Sequence, residues 1–395
     1  MNLAWSAIGK NVNKVKTWSP LKSEEVVSFK YIDLGSLDKD KKEIQLNLVQ
    51  EVLSSKAPSR AKQLVKAGDI LVSTVRPNLN GIAVVPSELD GATASTGFCV
   101  LRANDVTLNS NYLRYWVEST LFVSEMVNKS TGANYPAVSD KIIKESELPL
   151  PPLKNQKQIA AVLEKADQLR KDCQQMEQEL NNLAQSVFID MFGDPVTNPK
   201  GWEMKALSEL ASIVTGNTPS RAKPEYYGSD IEWIKSGNIN TPLDYLTVAE
   251  EYLSEDGKKA GRVVQSGSVL MTCIAGSPDC IGNIAIADRE VAFNQQINAL
   301  VPMDKKLDTE FLYVLLKVAK KIIQSASTNS MKGMISKSKL ESIQLPFPSY
   351  AEQCDFSTIY KKLQKEVKKQ NEQVVETELM FDALMQKAFK GELNL

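Results

Sequence analysis

The chain has 395 residues, 43% of them hydrophobic, with 47 Lys and Arg against 48 Asp and Glu and no histidine. That length holds two or three domains, the near-neutral balance excludes a histone-like polycation, and the missing histidine excludes Ser-His and Cys-His nucleophile pairs and HExxH zinc sites. No apolar run approaches the ~18 residues of a membrane span and no signal peptide opens the sequence, so a cytoplasmic protein without a membrane partner is expected.

In chain order, residues 1–150 read as one mixed domain. Val27 to Leu34 alternates as a strand. Asp69 to Val75, Gly81 to Val85 and Gly97 to Leu101 are short apolar runs bounded by Gly, Pro or Asn. Tyr112 to Val127 has helical spacing. Between these lie loops rich in cations and amides, at 57–62, 76–80 and 129–135.

Residues 151–193 carry a long helix. Ile159, Val162, Ala166, Leu169, Cys173, Met176, Leu180, Leu183 and Val187 step by three and four without a break, the seam of a helix packed on another helix. Asn155 with Gln158 is a capping-box-like start, and Gly193 followed by Pro195 is a stop. From Asn155 to Met191 such a helix runs ~54 Å at ~1.5 Å per residue.

Residues 194–348 repeat the first domain's plan. Gly68 is answered by Gly267 and Tyr112 by Phe311, while Val138 and Leu148 are answered by Ile335 and Leu345. Residues 349–395 repeat the helix, opening on a Ser349 to Glu352 capping box and running through Phe356, Ile359, Leu363, Phe381 and Leu384. Gln156 aligns with Gln353, and Gln185 to Phe188 with Gln386 to Phe389, so the second helix is expected to be one turn longer. The fold class is therefore α+β, a tandem repeat of a mixed domain and a long helix. Antiparallel pairing of the helices would place the two domains at opposite ends of a spacer. Ile159, Val162, Leu169, Met176, Leu180, Leu183, Phe356, Ile359, Leu363, Phe381 and Leu384 are the expected residues of helix pairing and partner docking.

The five cysteines show no CxxC, and read as reduced thiols. Cys273 with Cys280 has no histidine to complete a metal site. Neither GxxxxGK[ST] nor GxGxxG occurs. Asp279, Asp304 and Lys306 can be forced into a loose nuclease pattern that arises easily by chance in so charged a chain. No catalytic role and no metal is expected for this chain alone.

What remains is recognition. Duplex DNA is held by Lys, Arg and small polar groups on phosphates, and is read in the major groove by Arg, Lys, Asn, Gln, Ser and Thr. The first domain offers Arg60, Lys62, Arg76, Asn78, Asn80, Lys129, Thr131, Asn134 and Tyr135 on loops, and the second offers Ser220, Arg221, Lys223, Lys235, Ser236, Asn238, Asn329 and Lys332. Taken singly, each is as well explained as solvated surface. As a set at matching places in two repeats they point to DNA.

Three stretches resemble the DNA specificity subunits of type I restriction-modification systems. They are Ala57 to Arg60 leading to Gly68–Leu79, then Leu148–Leu153 through Gln156–Ala160, and Met191–Pro195 through Gly216–Arg221 to Ile231–Gly237. The resemblance covers essentially the full length. It implies two mixed α/β target-recognition domains (1–150 and 194–348), each reading one half of a bipartite asymmetric site. Two long conserved helices (151–193 and 349–395) would form an antiparallel coiled coil that spaces the domains and docks two methyltransferase subunits. Those partners would bring S-adenosylmethionine, and a restriction (motor-nuclease) subunit would add ATP and Mg²⁺; no cofactor is implied for this chain. The rival readings are a protein-binding scaffold that reads no DNA and a metal-dependent nuclease.

Overall fold

The computed structural model describes residues 4–327 and 333–393. Its contacts divide the chain into two compact units, Met1–Gln174 with Gln373–Leu395, and Gln175–Glu372. Each long helix thus gives one half to each unit.

Both units have the same sheet plan. In the first, strands Gln50–Leu53, Ser28–Ile32, Thr93–Ser95 and Ala61–Leu64 lie side by side in that order, and Val12–Asn13, Phe98–Ala103, Ile70–Ser73 and Ile82–Val84 form a second sheet. In the second unit the corresponding orders are Tyr252–Leu253, Tyr227–Ile234, Val291–Phe293 and Val263–Val264, and Ala211–Thr215, Ile297–Pro302, Val269–Thr272 and Ile284–Ile286. Among the named strands each unit has one parallel pair, Thr93 beside Tyr31 and Trp233 beside Ala292, and the second unit adds an isolated parallel bridge from Tyr245 to Ile286. The strands that fill the middle of the second sheet, Ile70–Ser73 and Val269–Thr272, are buried at every residue, so they read as continuous apolar runs without alternation. Gly68 and Gly267, which precede them, have φ of +84° and +89°, the left-handed turn that glycine accepts without a Cβ clash.

The single helix expected over 112–127 is two, Ser110–Glu118 and Thr120–Lys129. Ser119 breaks it: its hydroxyl donates to Trp116 O (2.6 Å) and accepts from Phe122 N, capping the second helix.

The long helices are Leu153–Phe192 and Tyr350–Lys390. The first begins two residues before the expected start, so Asn155 and Gln158 lie inside it and form no capping box; Asn155 N and Gln156 N both donate to Pro152 O. The side chain of Gln156 accepts from Asn109 N (2.9 Å) and donates to Thr107 O and Pro151 O. Gln353 does the same in the second unit, accepting from Asp308 N (3.0 Å) and donating to Lys306 O and Pro348 O. Both amides are 1% exposed, and each ties a long helix's start to the N-cap of an earlier helix of its unit, Ser110–Glu118 in the first and Thr309–Val318 in the second. Ser349 and Glu352 form the expected capping box, Ser349 N donating to the Glu352 carboxylate at 2.9 Å. Gly193 and Gly391 end the helices at φ of +79° and +75°.

The helices have 40 and 41 residues, so the extra turn expected in the second is absent. The four-residue insertion lies between Gln353 and Phe389. The first helix, however, runs four residues past Phe188 whereas the second stops one residue past Phe389, which offsets three of the four and leaves the second helix one residue longer.

Within the first unit the two helix halves share a core of Ile159, Leu163, Ala166, Phe381, Met385 and Phe389 with Tyr112, Tyr115 and Trp116. Phe389 stands 5.3 Å from the Tyr112 ring and 5.1 Å from Trp116. In the second unit Phe188 lies 5.6 Å from Phe311 and 5.4 Å from Phe356. The expected seam is shifted by a residue on the first helix. Leu163 and Ala184 are buried, whereas Leu169, Met176 and Leu183 are 46%, 48% and 42% exposed. Ile359 is exposed as well, and Val162, Leu180, Leu363 and Leu384 are half-buried. The seam carries polar side chains with long apolar stems: Arg170 lies 5.0 Å over the Phe381 ring while its guanidinium bonds Asp167. Apolar spacing therefore pointed to a neighbouring face.

Burial pushes the thiols of Cys99 and Cys273 up to about 12 and about 11. Both are expected to resist iodoacetamide at pH 8 until the chain unfolds, because the thiolate is the reactive form. Mass spectrometry of alkylated native protein checks this, and rapid modification of either would contradict it. Among the described residues no helix is long and apolar enough to cross a membrane, and no group of three or more His, Cys, Asp or Glu could hold a metal, Asp279, Asp304, Cys273 and Cys280 included.

Candidate nucleic-acid interface

In the first unit a strip of backbone bonds joins three loops. Arg60 O accepts from Thr96 N, Gly97 O accepts from the amide and the hydroxyl of Thr74, and Thr74 O accepts from Val138 N. Arg76 follows at φ +51°, its amide donating to Pro136 O at 2.7 Å. Thr131 and Ala137 exchange backbone bonds at 3.0 and 2.9 Å, closing a hairpin that carries Asn134 and Tyr135. Gly132 shapes its turn at φ +105°, where a Cβ would lie 2.8 Å from Tyr135 O. The Arg76 guanidinium sits 4.8 Å over the exposed Tyr135 ring and has no acidic partner among the described residues. Arg60, Arg76, Thr131, Asn134 and Tyr135 are thus brought together. Lys129, at the end of the helix before the hairpin, is paired with Glu125 at 2.6 Å.

Three expected residues stand apart or have other work. Lys62 is exposed on the edge strand, and Asn78 is exposed in the Pro77–Leu79 turn. Asn80 is structural: its side-chain amide donates to Glu118 O (3.1 Å), and its backbone carbonyl accepts from Lys42 Nζ at 2.5 Å. Burial, the first cause, holds the Lys42 ammonium below its usual range, against the pull of Glu118 and Asp40.

In the second unit the loop from Gly216 hangs on a strand of aromatic residues. Gly216 allows a close approach, since a Cβ there would lie 2.1 Å from Asn294 O. Asn217 N then donates to Phe293 O, the Trp233 indole donates to Asn217 O (3.3 Å), and the Tyr227 hydroxyl donates to Pro219 O (2.7 Å). This places Arg221 4.3 Å over Tyr227 and 5.2 Å over Trp233. Lys235 Nζ lies 5.4 Å over the same indole. Both cations bond one carboxylate, Glu251, with Arg221 at 2.6 Å. The bonds from Lys235 and then Arg221 hold that carboxyl below its usual range. Lys223 donates to the Tyr226 hydroxyl at 3.1 Å, and Ser220 is exposed beside it.

Ser236 and Asn238 belong to the short helix Ser236–Asn238, and Asn238 holds that turn rather than facing outward. Its carbonyl accepts from Lys235 N and its amide donates to Thr247 Oγ1 and Val248 O. Asn329 and Lys332 lie outside the described residues. Their neighbour Gly333–Met334 pairs with Ile274–Ala275, as Ala137 pairs with Val75 in the first unit. Ala275 therefore occupies the place of Arg76. Tyr227, Trp233 and Glu251 carry no mark of this site in the sequence: strand alternation reads the first two as core, and an acidic residue has the wrong charge for a DNA face.

The family described as "Type I restriction modification DNA specificity domain" matches residues 21–182 and again 199–377. The HindI specificity subunit of Haemophilus influenzae is 25% identical, with 71% of this chain and 74% of that protein covered. The putative MjaX specificity subunit of Methanocaldococcus jannaschii is 23% identical over 86% and 79% of the two. A chain from a structure of "complex assembly and conformational transition of the type I R-M system" superposes with a TM-score of 0.67 at 25% identity, covering all of both chains. The type I S subunit from M. genitalium, 14% identical with a TM-score of 0.57, shares the fold. The chain belongs to the DNA specificity subunits of type I restriction-modification systems, the non-catalytic components that give such a complex its DNA sequence specificity.

Proposed function

We propose that each unit reads one half of a bipartite, asymmetric duplex site, Gln175–Glu372 one half and the remainder of the chain the other. The observation that carries this reading is one architecture with different chemistry at matching places. Arg76 on Tyr135 stands in the first unit where Ala275 stands in the second, which instead presents Arg221 and Lys235 on Trp233. Repeated scaffolds with unlike polar loops suit two unlike half-sites.

The partners in this reading are double-stranded DNA, two methyltransferase subunits that bring S-adenosylmethionine, and, in a complex that restricts, a motor-nuclease subunit that brings ATP and Mg²⁺. The exposed Leu169, Met176, Leu183 and Ile359 of the long helices suit docking of a protein partner. The helices also serve as the ruler between half-sites. Half-sites read from one face of DNA lie about one turn, ~34 Å, apart, and the 40-residue helix extends ~60 Å at ~1.5 Å per residue.

Arg76→Ala tests the division of labour. If Arg76 contacts a base, the variant loses about 1–3 kcal/mol of discrimination at one position of the first half-site and leaves the second untouched. Sequencing of methylated sites measures both halves at once. An equal loss of affinity for every DNA would make Arg76 a phosphate contact, and altered reading of the second half would contradict the assignment of halves.

A further inference from the structure

Glu251 holds two cations that nothing acidic shares among the described residues. Arg221 and Lys235 each have this one carboxylate as an ion-pair partner, and their side chains are 56% and 36% exposed. The carboxylate is placed by its own backbone, since Glu251 O accepts from Trp233 N at 2.9 Å. The two cations are placed separately, by the Tyr227 and Trp233 rings.

Another ion pair of this unit is built differently. Glu232 bonds Arg289 but also accepts from Ala249 N (2.8 Å), and Arg289 donates to Leu246 O and Thr247 O, so that pair ties a loop together. Among the described residues the Glu251 carboxylate accepts from no backbone amide; its bonds come from the two cations. Removing its charge therefore leaves the loop's own hydrogen bonds in place. In the first unit Arg76, Arg60 and Lys62 face solvent with no carboxylate on them among the described residues.

We propose that Glu251 is a positioning residue for DNA reading, holding Arg221 and Lys235 off the phosphate backbone until the second half-site is seated. This rests on the DNA reading given above. An exposed ion pair is weakly held and yields to a competing phosphate. While partners exchange, the aromatic faces keep the cations in place. A random duplex must break both bonds and bring phosphates toward a carboxylate with no base contacts in return. The correct half-site supplies those contacts. Glu251 thereby lowers affinity for wrong DNA more than for right DNA, a repulsive element of specificity.

The test uses the full chain in complex with its methyltransferase subunits. Fluorescence anisotropy compares Glu251→Gln with wild type on a random-sequence duplex and on a duplex carrying the methylated motif, across a salt series. The E251Q complex is expected to bind the random duplex several-fold more tightly. Its plot of log affinity against log salt steepens by ~0.9 for each cation released to a phosphate. Methylation spreads to sites mismatched in the second half alone. Glu251→Asp restores the wild-type slope, and adding Arg221→Gln and Lys235→Gln to E251Q removes the gain, which a merely structural role would not do. An unchanged slope, or mismatches accepted equally in both halves, overturns the proposal. A wild-type complex that binds neither duplex overturns the DNA reading itself.

Discussion

Phe188→Ala is expected to destabilise the protein by about 3–5 kcal/mol, the range for removing a buried phenyl ring. Phe188 is 1% exposed and stands 5.1 Å from Phe192, 5.6 Å from Phe311 and 5.4 Å from Phe356. These rings come from both long helices and from the Thr309–Val318 helix that lies against the sheet. A cavity there cannot collapse easily, because Phe311 and Phe356 are each held by several other rings. Denaturant titration of wild type and variant measures the loss, read as a shift in midpoint at unchanged slope. The loss should weaken reading of the second half-site. A change under about 1 kcal/mol, below the range for such sites, would mean that the helix halves are not anchored through this cluster.

Deleting four residues from the middle of each long helix is expected to change the target's spacer and leave both half-sites as they are. Four residues are about one turn, ~6 Å along the axis, and keep the buried face in phase to within roughly 40°. Along DNA that is at most nearly two base-pair steps of ~3.4 Å, so a gap shorter by one or two base pairs is expected. The middle of each helix is the place to cut, since the fully buried anchors lie toward the ends, at Gln156, Leu163 and Phe188, and at Gln353, Phe356 and Phe389. The methylated motif of the variant complex decides the matter. An unchanged gap with altered half-sites would show that the helices are not the ruler.

Much of the fold is legible in the residues because the repeat constrains it twice. Gly68 and Gly267 share a positive φ, Gln156 and Gln353 lock onto matching caps, and Val75 with Ala137 recurs as Ile274 with Met334. Each is a local requirement that leaves a local mark. The helix seam is less legible, because Arg170 lends its stem to the core while Leu169, Met176 and Leu183 face outward. Apolar spacing counts only side chains that are apolar throughout. The break at Ser119 is hidden in the same way, since Ser is tolerated in helices and here caps one only because its hydroxyl meets Phe122 N.

The candidate interface is legible in its loops and not in its pairings. Arg76 and Tyr135 lie far apart in sequence and meet because the 131–137 hairpin closes on Val75. Asn80 and Asn238 have the composition of base readers and turn inward to hold turns. Glu251 carries the wrong charge for a DNA face, and only the three-dimensional arrangement shows that it sits on the two cations of the loop.

The central claim is that this chain chooses the DNA sequence. Its most direct measurement is a genome-wide map of modified adenines in a host without adenine methylation, expressing the cognate methyltransferase with and without this chain. One split asymmetric motif that appears only when the chain is present is the predicted result. Methylation that ignores the chain, or a contiguous motif without a gap, would contradict the account.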